Sequence, residues 1–143
     1  MKCEIIINRT EEEKVIIYAK EETEHIKEIK KLAESDHINL TGYSGDEIVK
    51  LSPKDIYIVT IIDNKVYAIT KEKSYALKER LYVLEKALGD DFVKINQSSL
   101  ANTKKIESFD ASNSGTLKNR FKNGYTDYVS RRQLKFVKER LGL

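Results

Sequence analysis

The chain has 143 residues, 40% of them hydrophobic and 34% charged, with a formal net charge of +3, which predicts one globular domain with or without a small attachment. Its single cysteine, Cys3, excludes an internal disulfide, and no apolar run approaches the roughly 20 residues that a membrane-spanning helix needs. Glu4 interrupts the apolar pattern that a signal peptide requires, so we expect a cytoplasmic protein.

The first 39 residues have the pattern of a short strand-and-helix segment. The β-branched run at residues 15–19 predicts a strand, and residues 3–7 predict its partner. A helix is predicted from about residue 22 to residue 35, because apolar residues recur at helical spacing while Glu and Lys occupy the other face. Residues 36–39 have the composition of a linker.

From residue 40 onward the pattern changes to short strands and turns. Two glycines predict a turn at residues 42–45. Strands are predicted at residues 47–51, 56–60, 66–70 and 74–77. The second and third of these strands form a hairpin around Asp63, Asn64 and Lys65.

A second helix and a second hairpin are predicted further along the chain. The helix is indicated by leucines that recur on one helical face, Leu77, Leu81, Leu84 and Leu88. Gly89 suits the position after its end. Strands are then predicted at residues 92–95, 106–109, 116–121 and 125–129. The dipeptide at residues 123–124, Asn-Gly, is a strong signal for a hairpin between the last two strands.

The last helix begins with a capping box, in which Ser130 is the N-cap and Gln133 is the third helical residue. Arg131 and Arg132 then occupy the first turn, where cations oppose the helix dipole. Both side chains can simply point into water. An anionic partner would also resolve the conflict, so the pair is a candidate functional feature.

Charge is distributed unevenly along the chain. Residues 91–143 contain 11 Lys and Arg and 5 Asp and Glu, a net charge of +6, whereas residues 1–90 contain 15 and 18, a net charge of −3. A basic region of this kind is the electrostatic pattern of a protein with a polyanionic partner. Charge alone leaves an ordinary solvated surface equally open.

Few residues suit metal binding or nucleophilic catalysis. His25, His37 and Cys3 show no ligand-like spacing, and we expect structural roles for both histidines. The scattered glycines form no phosphate-binding loop, and no serine lies in a nucleophile elbow. The sequence therefore predicts neither an enzyme nor a cofactor.

Residues 40–143 contain five motifs in one order. They are Asp-Ile-Tyr-Ile from residue 55, Asp-Asn-Lys-Val-Tyr from residue 63, Leu-Tyr-Val-Leu-Glu from residue 81, the segment at residues 92–102, and Asn-Gly to Val-Ser-Arg-Arg at residues 123–132. In this order they resemble the LytTR-type DNA-binding domain of bacterial transcription regulators. The resemblance implies an α+β fold that is mainly β, with layered strands and loops that enter major grooves of duplex DNA. It covers roughly 70% of the chain.

The whole chain resembles a stand-alone subgroup of this response-regulator-like family. In that subgroup a short strand-and-helix extension, matched here by residues 1–39, replaces the phosphoacceptor receiver domain. The resemblance implies a DNA-binding domain at residues 40–143, a homodimer, and regulation by a small membrane protein. Each of these is an expectation from the family.

The resemblance implies three DNA-contacting segments and a set of phosphate contacts. The segments carry over to Asp63, Asn64 and Lys65, to Asn96, Gln97 and Ser98, and to Arg131 with Arg132. Arg suits a guanine edge and Asn or Gln an adenine edge, whereas Lys and Ser suit phosphate oxygens. The further candidates for phosphate contacts are Lys104, Lys105, Lys118, Arg120 and Lys122.

The sequence departs from the family pattern at three positions. Asn96 and Gln97 stand where the family often has His, Arg or Lys, so a known target sequence does not transfer. Ala101 replaces a larger aliphatic residue.

Three functions are therefore weighed. The first is a sequence-specific transcription regulator that binds double-stranded DNA. The alternative is a protein-interaction adaptor whose basic face binds an acidic partner. An RNA-binding protein comes third, because no aromatic string of the kind found in RNA-recognition motifs is present.

Overall fold

The computed structural model describes residues 1–34, 39–111 and 116–143. The chain divides into two compact units, residues 1–36 and residues 37–143. His37, the end of the first predicted helix and most of the predicted linker lie outside the described residues. The longest described helices have 11 residues, and the described part of the chain holds no helix that could span a bilayer.

The N-terminal unit contains helix α1 (Glu24–Glu34). Thr23 caps this helix, since its Oγ1 accepts a hydrogen bond of 3.3 Å from the backbone N–H of Ile26. The predicted strands at residues 3–7 and 15–19 are wrong, because neither segment forms a strand. An isolated two-stranded hairpin is marginal in water, and the isoleucines at residues 5–7 are 78–83% exposed, so no packed face supports such a hairpin.

A seven-stranded antiparallel sheet forms most of the second unit, which confirms the mainly β fold. Its strands are β1 (Leu40–Ser44), β2 (Glu47–Leu51), β3 (Ile58–Ile62), β4 (Lys65–Ile69), β5 (Ser74–Leu77), β6 (Phe92–Asn96) and β7 (Ser99–Asn102). Their order in the sheet is β2-β1-β5-β4-β3-β7-β6. Helix α2 (Leu81–Ala87) connects β5 to β6.

Two predictions in this region are wrong in detail. Gly42 lies within β1, and the turn falls at Gly45 and Asp46 instead. A Cβ atom at Gly42 would come within 2.7 Å of Leu51 and Tyr75, so this glycine permits close packing and does not make the turn. Leu77 belongs to β5, where it pairs with Val66, and α2 begins four residues later.

A smaller sheet has the order β10-β9-β8 and precedes the last helix. Its strands are β8 (Ile106–Asp110), β9 (Leu117–Phe121) and β10 (Thr126–Val129), followed by α3 (Arg131–Leu141). The predicted Asn-Gly hairpin is confirmed, with Gly124 at φ +87°. The predicted N-cap is confirmed as well, because the Ser130 hydroxyl accepts from the backbone N–H of Gln133 at 3.3 Å.

Two hydrophobic clusters use opposite faces of the central strands. On β3, Val59 belongs to the cluster that includes the leucines of α2, whereas Ile58 belongs to the cluster that includes Val137 of α3 and Phe121 of β9. Successive side chains of a strand point to opposite faces, so β3 carries both packing layers. The same alternation occurs on β7. The loops at the ends of β3 and β7 are thus held from both faces.

Strand β2 is an outer strand of the large sheet, because β1 is its partner in the sheet order. Ile48 on this strand is 67% exposed. Its neighbour Glu47 accepts a hydrogen bond of 3.0 Å from the ammonium group of Lys73, and this bond raises the pKa of Lys73.

Candidate nucleic-acid interface

Two tight turns lie side by side at one end of the large sheet. Strands β3 and β7 are paired with Thr60 opposite Ser99. The backbone N–H of Ile61 donates to the carbonyl of Ser98 at 2.9 Å. The turn at Asp63 and Asn64 therefore follows β3 at the same end of the sheet at which the turn at residues 97–98 enters β7.

The start of α3 lies at this end as well. The backbone N–H of Ser130 donates to the carbonyl of Ile95 on β6 at 2.9 Å. The side-chain amide of Asn96 donates to the carbonyl of Tyr128 at 2.8 Å. These bonds hold the strand that precedes α3 against the strand that precedes the turn at residues 97–98.

We call this region the turn end. It is formed by Asp63, Asn64, Lys65, Gln97, Ser98, Arg131 and Arg132. All of these residues are exposed except the half-buried Ser98. It contains three cations and one anion, so its local formal charge is +2.

The turn at Asp63 and Asn64 has a left-handed backbone. Asp63 and Asn64 have φ angles of +51° and +62°, and Ile62 pairs directly with Lys65 across the turn. Two successive residues in the left-handed region form the hairpin turn whose twist matches that of the flanking strands. Asp and Asn tolerate this region better than most residues, so the turn presents polar side chains at its tip.

Asn96 differs from its neighbour Gln97 in orientation. Its side chain is 3% exposed and donates to the Asp127 carboxylate at 3.1 Å and to the Tyr128 carbonyl, while its carbonyl oxygen accepts from the backbone N–H of Ser98 at 2.9 Å. Every polar atom of this amide is engaged within the protein. Asn96 therefore stabilises the turn from inside the protein, whereas the side chain of Gln97 is exposed.

Three of the predicted phosphate contacts lie at the opposite end of the large sheet. Lys104 follows the end of β7 and forms an ion pair of 3.5 Å with Asp91. The ammonium group of Lys105 lies 5.1 Å from the ring centroid of Tyr57. The backbone N–H of Lys122 donates to the Lys105 carbonyl at 3.0 Å. The four residues of β7, about 13 Å of strand, separate this group from the turn at residues 97–98.

Lys118 and Arg120 occupy a third position, on the outward face of β9. Lys118 pairs across the sheet with Tyr128, two residues before Ser130, and Arg120 pairs with Thr126. Lys118 is therefore the nearer of the two to α3 along the small sheet. The structure thus divides the predicted phosphate contacts among separate surfaces.

A partly buried polar cluster behind the turn end was not predicted from the sequence. It consists of Thr60, Ser99 and Asp127 together with Asn96. The sequence signal for this cluster was that polar residues occupy inward-facing positions of short strands. Burial, followed by the charge of Asp127, raises the pKa of the nearby Tyr125.

Within residues 1–34, 39–111 and 116–143, no three or more His, Cys, Asp and Glu side chains are grouped so that they could hold a metal ion. The chemistry of the turn end is that of hydrogen-bond donors and cations. Guanidinium, ammonium and amide groups of this kind suit phosphate oxygens and the edges of bases.

Comparisons with known proteins agree on one family. The sequence model of the LytTr DNA-binding domain family matches residues 46–142. An uncharacterized HTH-type transcriptional regulator of Staphylococcus aureus strain N315 is 34% identical over 147 residues, which cover 100% of this chain and 99% of that protein. Its counterpart in strain NCTC 8325 is 33% identical with the same coverage.

A solved structure has the same fold. It is the LytTr DNA-binding domain of a Bacillus cereus protein described as a methyl-accepting/DNA response regulator. The TM-score is 0.70 at 20% sequence identity, and the match covers 74% of this chain and 99% of that domain.

Proposed function

We propose that this chain, which belongs to the LytTr DNA-binding domain family of transcription regulators, reads duplex DNA with its turn end. The observation that carries the proposal is the convergence of three segments that are distant in sequence. The turn at Asp63 and Asn64, the turn at residues 97–98 and the first turn of α3 lie at one end of the domain, and their polar side chains are exposed except for the half-buried Ser98.

The side chains of the turn end divide into base-reading and positioning groups. Arg131 and Arg132 can each donate two parallel hydrogen bonds to a guanine edge, and the Gln97 amide can both donate to and accept from an adenine edge. Lys65 suits a phosphate oxygen, which orients the protein without reading sequence. The loops therefore enter the major groove, while the sheet behind them sets their spacing.

The proposal extends to assembly and regulation. We expect a homodimer that binds repeated half-sites, with residues 1–39 as the dimerisation or regulatory segment. Control by a small membrane protein is an expectation from the family resemblance. A regulator that acts on chromosomal DNA works in the cytoplasm, and the single cysteine, Cys3, fits such a reducing compartment.

Selection of bound sequences from random duplex DNA tests this function directly. We expect enrichment of a short motif, followed by a steep fall of log K with log salt for the enriched duplex, because cations that contact phosphates release counterions. Folded protein that enriches no motif would contradict the proposal.

A further inference from the structure

We infer that Asp127 is a positioning residue for DNA reading and that it acts through hydrogen bonds to Asn96 and Ser99 and, through Ser99, to Thr60. The inference rests on the proposed function, because it concerns how the turn end is held in shape. Asp127 is half-buried on β10, and the other three residues are 1–4% exposed. None of the four belongs to the turn end.

The Asp127 carboxylate accepts hydrogen bonds from two other strands. Its Oδ2 accepts from the Ser99 hydroxyl at 2.6 Å. Its Oδ1 accepts from the Asn96 amide at 3.1 Å and from the backbone N–H of Tyr128 at 2.7 Å. An ionised carboxylate is an acceptor only, and charge-assisted bonds of this length are stronger than bonds between neutral groups. The carboxylate therefore ties the small sheet to β6 and β7.

The chain of bonds continues to β3. The Ser99 and Thr60 hydroxyl oxygens are 2.7 Å apart. The one hydroxyl proton of Ser99 is donated to Asp127, so Thr60 must donate to Ser99. Thr60 lies three residues before Asp63, the first residue of the other turn. The orientation of both hydroxyls is thus set by the charge on Asp127.

The same carboxylate helps to orient Asn96. The NH₂ group of Asn96 donates to Asp127 and to the Tyr128 carbonyl, which leaves its oxygen to accept from the Ser98 N–H. The reversed amide would place its oxygen against two acceptors and its NH₂ against the Ser98 N–H. Asp127 and the Tyr128 carbonyl together therefore keep Asn96 in the orientation that closes the turn under Gln97.

One half-buried carboxylate thus connects all three segments of the turn end. It reaches the turn at residues 97–98 through Asn96, reaches β3 through Ser99 and Thr60, and lies on the strand that leads into α3. Base contacts require groups placed to within about 0.5 Å, whereas attraction to phosphates is far more tolerant of position. Loss of the network should therefore lower discrimination between sequences more than it lowers general affinity for DNA.

The test compares Asp127→Asn with Asp91→Asn in the full chain. Both variants lose one negative charge, but Asp91 pairs with Lys104 at the opposite end of the sheet. An amide at position 127 offers one acceptor oxygen in place of two, so at least one of the three donors loses its acceptor. The probes are the duplex that the wild-type protein enriches from random DNA and a scrambled duplex of the same length and composition.

We expect Asp127→Asn to lower the ratio of selected to scrambled affinity by about 10-fold, the size of one lost base contact, with scrambled affinity within about twofold of wild type. Asp91→Asn should leave the ratio unchanged. Combining Asp127→Asn with Gln97→Ala should cost less than the two separate losses together, because the first change already displaces Gln97.

Thermal melts establish that each variant is folded at the assay temperature. If Asp127→Asn is not, Thr60→Val carries the same comparison, because it removes a donor of the chain with little change in shape. If the folded variant keeps the wild-type ratio of selected to scrambled affinity, or if its loss and that of Gln97→Ala are additive, the inference is overturned and the proposed function still stands. A wild-type protein without sequence preference would instead overturn the proposed function.

Discussion

Replacing Gln97 with alanine should change which DNA sequences the protein prefers and leave its general affinity for DNA unaltered. A bidentate contact between an amide and adenine discriminates against the wrong base by about 1–3 kcal/mol. The backbone of the turn is already held by the Ser98 N–H bond to Asn96 and by the Ile61 N–H bond to Ser98, so it adds no ordering cost on binding.

The exposed Gln97 side chain must still be ordered when it binds, which costs about 0.5–1.5 kcal/mol. The expected net loss for Gln97→Ala on the selected duplex is therefore in the lower half of the range, about 1–2 kcal/mol, or about 5- to 30-fold in Kd. Because Gln97 is neutral, the salt dependence of binding should stay the same.

Fluorescence anisotropy on a panel of duplexes, each with one base pair changed, would measure this effect. Lys104→Ala is the matched control, since it also removes a long side chain, but at the opposite end of the sheet. It should leave the base preference unchanged, because a lysine that contacts phosphate carries no sequence information. A uniform loss across the panel for Gln97→Ala would refute a base-reading role.

Three further predictions follow from the same structure. Arg131→Ala should weaken binding to the selected duplex by about 1–3 kcal/mol and relax the preference at one base pair. A folded variant that binds like wild type would show that Arg131 does not read a base. Residues 40–143 alone should still bind duplex DNA in a gel-shift assay at protein concentrations well above any dimerisation constant, and loss of binding with an intact fold would count against that domain boundary. Asn119→Leu should raise the free energy of unfolding in urea by about 1 kcal/mol, because neither polar atom of this fully buried amide has a hydrogen-bond partner among the described residues. A lower denaturation midpoint would contradict this reasoning.

Elements with a strong local signal were predictable from the sequence. The Asn-Gly hairpin, the N-cap at Ser130 and the turn at Asp63 and Asn64 all form, because each depends on backbone preferences of a few adjacent residues. The N-terminal strands failed for the opposite reason. A β-branched run favours a strand only where a sheet or helix packs against it, and no local pattern supplies that partner.

The sequence predicted which segments form the candidate site, but not which of their side chains point inward. Ile95 and Asn96 are consecutive and both buried, because a bulge in β6 after Lys94 breaks the alternation of faces. Alternation therefore could not show that Asn96 points inward while Gln97 points outward. The position of Lys104 likewise depends on β7, a four-residue strand that was not predicted.

The outer strand of the large sheet bears on how the protein behaves at high concentration. An outer strand offers backbone groups that can pair with a second molecule, and the exposed Ile48 of β2 would favour such pairing. Glu47 and Lys50 place charges along the same strand, and Glu47 is ion-paired with Lys73, so this edge resists pairing with the edge of a second sheet. These charges act as gatekeepers against aggregation, so their loss would show first in the yield of dispersed protein and only later in DNA affinity.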